Sequence, residues 1–126
     1  MSYVADTHAF VWYIIGKLPE RADSIFRSTE KGESTIYIPT IVLAECLYLV
    51  ENKKIDLDFE DLLDKLEISR NLVPVSFNFQ VLKLLPEIKL GELHDRIVVA
   101  TAKILSAKLI TKDKEIRESK IVETVW

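Results

Sequence analysis

Ser2–Ile15 reads S-Y-V-A-D-T-H-A-F-V-W-Y-I-I, a strand and a helix joined at an acid. Ser2–Ala5 is a short apolar strand that ends on Asp6. Thr7–Ile15 continues directly as an apolar helix, with Asp6 or Thr7 as its N-cap and Gly16 as its stop. A strand that runs into a helix with an acid at the junction is the unit of an α/β domain.

The same alternation continues outward. Pro19 opens a second helix in which Ala22, Ile25 and Phe26 share a face opposite Arg21, Asp23 and Arg27, and Lys31-Gly32-Glu33 ends it. Thr35–Ile38, β-branched and aromatic, is a second strand closed by Pro39. A helix over Thr40–Asn52 and a charged turn lead to an amphipathic helix with Phe59, Leu62, Leu63 and Leu66 on one face. Leu72–Val75 is a third strand, and its Pro74 places it at an edge. Asn78–Leu85 is helical up to the break at Pro86, and Leu93–Ala107 is a strong helix. Leu109–Thr111 is a fourth strand, Lys114–Glu118 a short helix, and Ile121–Val125 a final strand. This order predicts an α/β fold, a three-layer α/β/α sandwich around a central parallel sheet, with one domain over residues 1–126.

Composition narrows the functional classes. At 48% hydrophobic and 29% charged residues, the balance is that of an ordinary globular domain. No apolar run approaches the roughly 18 residues of a membrane span, and the opening S-Y-V-A-D lacks the basic region of a signal peptide. The single cysteine, Cys46, excludes an internal disulfide and a multi-cysteine zinc site, so a cytoplasmic setting is expected. Abundant Lys and Glu with scarce Gly lean towards a thermophile. The net charge of −3 excludes bulk electrostatic coating of nucleic acid but leaves a nuclease open, since metal ions can supply local positive charge.

Four carboxylates stand where a solvated acid would not. Asp6 ends the first strand, Asp113 follows the fourth, and Asp95 lies near the start of an apolar helix. Glu45 lies inside Ile41–Val50, a run whose other nine residues are apolar or aromatic. A helix apolar on every side is expected to be buried, and a buried carboxylate needs a proton, a partner or a cation. Singly, Asp6, Asp95 and Asp113 also read as helix caps, and Glu45 as an ion pair with Arg96 or a lysine. Together they point to one shared site, because ligands in open α/β sheets bind beyond the carboxyl ends of the strands. Hard oxygen ligands select Mg²⁺ or Mn²⁺ over zinc, and acids holding such ions suit hydrolysis of phosphodiesters. Walker A, G-x-G-x-x-G and G-x-S-x-G patterns are absent, which argues against NTPases, dinucleotide enzymes and serine hydrolases. Arg96, Lys112 and Lys114 flank the acids as candidate RNA or phosphate contacts. His8 and His94 each adjoin an acid, and His8 reads as a core or wall histidine.

With D-T-H-A-F-V-W at Asp6–Trp12, A-E at Ala44–Glu45, H-D-R-I-V-V-A-T-A at His94–Ala102 and L-I-T-K-D at Leu109–Asp113, the chain resembles the PIN-domain family, and within it the VapC-like toxins of VapBC toxin–antitoxin pairs. The resemblance covers nearly the whole chain. It implies a PIN-like sandwich with Asp6, Glu45, Asp95 and Asp113 as catalytic, metal-binding acids, and Thr7 and Thr111 as supporting hydroxyls. It further implies a Mg²⁺-dependent endoribonuclease, homodimeric and silenced by a cognate antitoxin protein. The helices over Thr40–Asn71 and the Trp12 helix are then the antitoxin and dimer surfaces. Ser106 and Ile116 depart from the glycine and the aromatic common in relatives. A housekeeping PIN nuclease of RNA processing is the alternative within the class. A non-catalytic Mg²⁺-binding regulatory module, such as a phospho-receiver domain, is the alternative outside it. The latter would want adjacent acids after the first strand and an Asp after Leu72–Val75, and neither is present.

Overall fold

The computed structural model describes residues 1–126. Five strands form one sheet: β1 (Ser2–Ala5), β2 (Thr35–Pro39), β3 (Leu72–Val75), β4 (Lys108–Ile110) and β5 (Thr124–Val125). Every pairing is parallel and the order is β3-β2-β1-β4-β5. Strands with both faces covered carry near-continuous apolar sequence. Accordingly Val4, Ala5, Ile36, Ile38, Leu109 and Ile110 have no measurable exposure.

Seven helices complete the fold: α1 (Thr7–Ile15), α2 (Glu20–Glu30), α3 (Thr40–Glu51), α4 (Phe59–Ile68), α5 (Phe79–Leu84), α6 (Leu93–Ile104) and α7 (Lys114–Ser119). Right-handed crossovers place the helices between β1 and β3 on one face of the sheet, and those of the return to β4 and β5 on the other. The packing agrees, since α1 touches α2 and α3, while α6 lies on β1, β4 and α5. Between the layers 28 buried apolar residues form one contiguous core, with Phe10 and Phe26 among its largest members.

The chain reverses direction across the sheet between β1 and β4. These strands are neighbours, with Val4 opposite Leu109 and Ala5 opposite Ile110. Their carboxyl ends therefore open side by side, which is where a doubly wound sheet places a ligand. Gly16 ends α1 in the left-handed region at φ 74°, and its N–H closes the last turn.

Several boundaries differ from the sequence reading. The predicted helix over Leu93–Ala107 stops at Ile104, and Ser106 adopts φ 52° to turn the chain into β4. Pro86 does not end the preceding helix abruptly; α5 tightens into a 3₁₀ turn over Leu85–Glu87. Thr111 lies just past β4, and the last strand keeps only Thr124–Val125 of the predicted Ile121–Val125. β3 sits at the sheet edge, with Pro74 exposed, because proline cannot donate to a further strand.

The largest correction concerns α3. Val42, Leu43 and Cys46 face the core, but Ala44, Leu47 and Tyr48 are exposed, Tyr48 by 65%. The helix is apolar all round yet buried on only one side, and the Glu45 side chain is 45% exposed.

Candidate functional site

Asp6 is placed by two backbone ties. Its N–H donates to the Ile110 carbonyl at 3.2 Å, locking the end of β1 to β4. Its Oδ1 accepts from the Ala9 N–H at 2.9 Å, capping α1. Asp113 repeats the arrangement one strand away. It caps α7 by accepting from the Ile116 N–H at 2.9 Å, and its own N–H donates to Thr111 Oγ1 at 3.0 Å. Thr111 is fully buried between the two acids' strand ends.

Asp95 occupies the first turn of α6 without capping it. The N-cap position belongs to Glu92, whose side chain makes no cap bond. The capping explanation of Asp95 therefore fails, whereas Asp6 and Asp113 both cap and face the site. Glu45 arrives from the middle of α3. Its partner is neither Arg96 nor a lysine but His94, whose Nδ1 lies 2.6 Å from Glu45 Oε1.

Asp6, Glu45, Asp95 and Asp113 line a single cleft of about 130 Å³ together with Thr7, His8, Glu92 and His94. No apolar side chain contributes to its wall. Glu92 was not anticipated from sequence, although an acid three residues before Asp95 at a helix start was the available signal. Of the two readings of His8, core or wall, its exposure rules out the core, and it stands in the wall of the cleft.

The crowding of acids is visible in their protonation. Burial pushes the Asp95 carboxyl up to about 6, and the nearby charges of Asp113, Glu92, Asp6 and Glu115 push the same way. Burial also raises Asp6, against opposing contributions from the Thr111 hydroxyl, the Ala9 N–H, His8 and His94. Uncompensated negative charge in a small polar cleft is the environment a hard divalent cation relieves, and carboxylate oxygens are its preferred donors. The donor chemistry thus fits Mg²⁺ or Mn²⁺. As they stand, no three of the Asp, Glu and His side chains converge closely enough to form a ready coordination shell.

The three flanking cations are differently engaged. Arg96 Nε donates to the Leu90 carbonyl at 2.7 Å and braces the loop before α6. Lys112 Nζ sits 4.3 Å above the Trp12 ring, which itself packs against Trp126 at 5.5 Å. Lys114 is largely exposed and 3.8 Å from Glu118, a geometry that leaves it available to a ligand. Cys46 is packing: it is buried, and burial first, then the charge of Glu45, raises its thiol to about 12.

A parallel α/β domain with an acid-lined cleft at the carboxyl edge of its sheet is the class this geometry defines. The sequence matches the PIN-domain family model over residues 3–121. The chain belongs to the PIN-domain family, a family of nucleases. No curated protein matches the sequence. Among solved structures, it is similar to VapBC2 from Rickettsia felis bound to a DNA fragment of its promoter, at 21% identity and TM-score 0.73, covering 99% of this chain and 98% of that one. It is also similar to FitAcB from Neisseria gonorrhoeae, at 22% identity and TM-score 0.65, covering 98% and 96%. A toxin–antitoxin complex from Klebsiella pneumoniae follows at 18% identity and TM-score 0.64, also covering 98% and 96%. No helix is long and apolar enough to cross a membrane.

Proposed function

We propose that the chain is a Mg²⁺- or Mn²⁺-dependent endoribonuclease and the toxin of a type II toxin–antitoxin pair. In this reading it acts in the cytoplasm as a homodimer and is silenced by a cognate antitoxin protein. One observation carries the reading: Asp6, Glu45, Asp95 and Asp113 come from four different elements to one cleft at the β1/β4 junction.

A bound divalent cation would supply Lewis-acid stabilisation of the scissile phosphate and a more acidic water. The chain's own contribution is pre-organisation. The Ala9 and Ile116 N–H groups each fix one oxygen of Asp6 and Asp113, so both carboxylates are held in place at the cleft. Thr111, held by the Asp113 N–H, keeps the two strand ends in register. Asp95 and Glu45 complete the acidic wall from α6 and α3. Lys114 follows Asp113 in sequence, is largely exposed and is held only by a 3.8 Å pairing with Glu118, so it is the flanking cation assigned to an RNA phosphate.

The toxin assignment draws on the solved neighbours, several of which are toxin–antitoxin complexes. It also draws on the apolar surface that this chain leaves open on α3 and α4, at Leu47, Tyr48 and Leu63. Such a patch suits a helix of a partner protein. The test is incubation of purified protein with unstructured and structured RNA, with Mg²⁺ or Mn²⁺ and with chelator. Internal cleavage is expected with metal, none with chelator, and a loss of about 100-fold or more in Asp6→Asn and Asp95→Asn. Wild-type protein inert on both RNAs with either metal would end the reading.

A further inference from the structure

We propose that His94 is the positioning residue for Glu45, holding that carboxylate against the metal site from α6. The proposal rests on the metal-dependent reading of the cleft. Of the four acids, Asp6 and Asp113 are each fixed by a backbone N–H, and Asp95 is a short, half-buried side chain in the first turn of a packed helix. Glu45 has none of these restraints. Its side chain is 45% exposed, sits on a helix with an open outer face, and is paired with no lysine or arginine. A long, half-exposed Glu samples many rotamers, and each would have to be given up when an ion binds.

His94 is the one side chain that meets it. The ring lies between two elements of the opposite layer: Nδ1 is 2.6 Å from Glu45 Oε1 on α3, and Nε2 is 3.2 Å from Thr7 Oγ1 at the start of α1. The imidazole thus spans α1, α3 and α6 across the mouth of the cleft. The approach to Glu45 is short but off the hydrogen-bond direction, so that buried Nδ1 has no well-aligned partner. A small rotation of the Glu45 carboxylate, which its exposure permits, would align the pair. The Thr7 contact holds the far side of the ring, as ligand-orienting contacts do around metal sites. Thr7 therefore acts on Glu45 through His94, rather than as a ligand.

The experiment is titration of the metal-free protein with Mn²⁺, followed calorimetrically and by the paramagnetic resonance of the free ion. It compares wild type, His94→Ala, His94→Asn, Glu45→Gln and the His94→Ala/Glu45→Gln double variant, each checked for native circular dichroism. His94→Ala is expected to weaken Mn²⁺ binding by about tenfold. His94→Asn, which keeps a donor near the Nδ1 position, should recover part of it. The double variant should bind no more weakly than Glu45→Gln alone, because His94 has nothing left to position. Folded His94→Ala protein that binds Mn²⁺ like wild type, or losses that add in the double variant, would overturn the assignment of His94 alone. Wild-type protein that binds no Mn²⁺ would instead remove the metal-site reading, and the positioning role with it.

Discussion

Asp95 shows how a single residue reports on the whole cleft. Its carboxyl is raised from 3.8 to about 6, so the folded protein holds that proton more tightly than the unfolded chain does. The stability associated with it is complete below pH 3.8 and is lost as pH rises through about 6. Near neutral pH the ionised carboxylate is a burden on the metal-free fold. Asp95→Asn should therefore stabilise the metal-free protein there by about 1 kcal/mol, after allowance for solvent screening of a partly exposed group. The difference from wild type should open as pH rises from 3.8 to about 6 and then level off. Mn²⁺ should reverse the order by stabilising wild type more than the variant. Thermal unfolding across that pH range, with and without Mn²⁺, checks both parts. Equal melting temperatures at every pH would mean that Asp95 carries no strain from its neighbours. Glu45 makes the complementary point. Its isolation in an apolar run drew attention to it, and it does reach the cleft. Burial on every side is not the reason, because α3 buries only Val42, Leu43 and Cys46 and leaves Ala44, Leu47 and Tyr48 exposed.

At the scale of elements, the legible features are those set by local chemistry. The N-caps at Asp6 and Asp113, the αL stop at Gly16, the edge strand with Pro74 and the inward face of α2 all follow from residue type and spacing. Boundaries set by tertiary contacts were less legible. β5 is reduced to Thr124–Val125, the residues in register with Leu109 and Ile110 of β4, and the Glu123 carbonyl just before them accepts from the Leu109 N–H at 2.9 Å. The early end of α6 depends on the chain reaching β4 through Ser106 at φ 52°. A serine there bears the left-handed strain that glycine avoids. Ser106→Gly should accordingly raise stability by about 0.5–1 kcal/mol, measured by denaturant unfolding, without altering metal binding. A destabilised Ser106→Gly would indicate that the turn costs less than its dihedral implies. Glu92 and the His94 bridge escaped the sequence reading for the same reason as the β5 boundary. Both depend on which helices the fold sets side by side; the spacing of Glu92 from Asp95 hinted at the first, and no motif encodes the second.

For the molecule as a whole, the strand order β3-β2-β1-β4-β5 turns four sequence-distant acids into neighbours. The parallel sheet explains why Asp6 and Asp113 open together, and the helices layered over its two faces explain how Glu45 and Asp95 approach them. Membership of the PIN-domain family agrees with this arrangement. If the four acids act as one metal site, equilibrium binding of Mn²⁺ near neutral pH reads that out. Wild-type protein is predicted to bind the ion, and Asp6→Asn, Glu45→Gln, Asp95→Asn and Asp113→Asn are each predicted to bind it more weakly while retaining native circular dichroism. Binding that survives unchanged in all four variants, or that is absent from the wild type, would mean that these acids do not form a metal site.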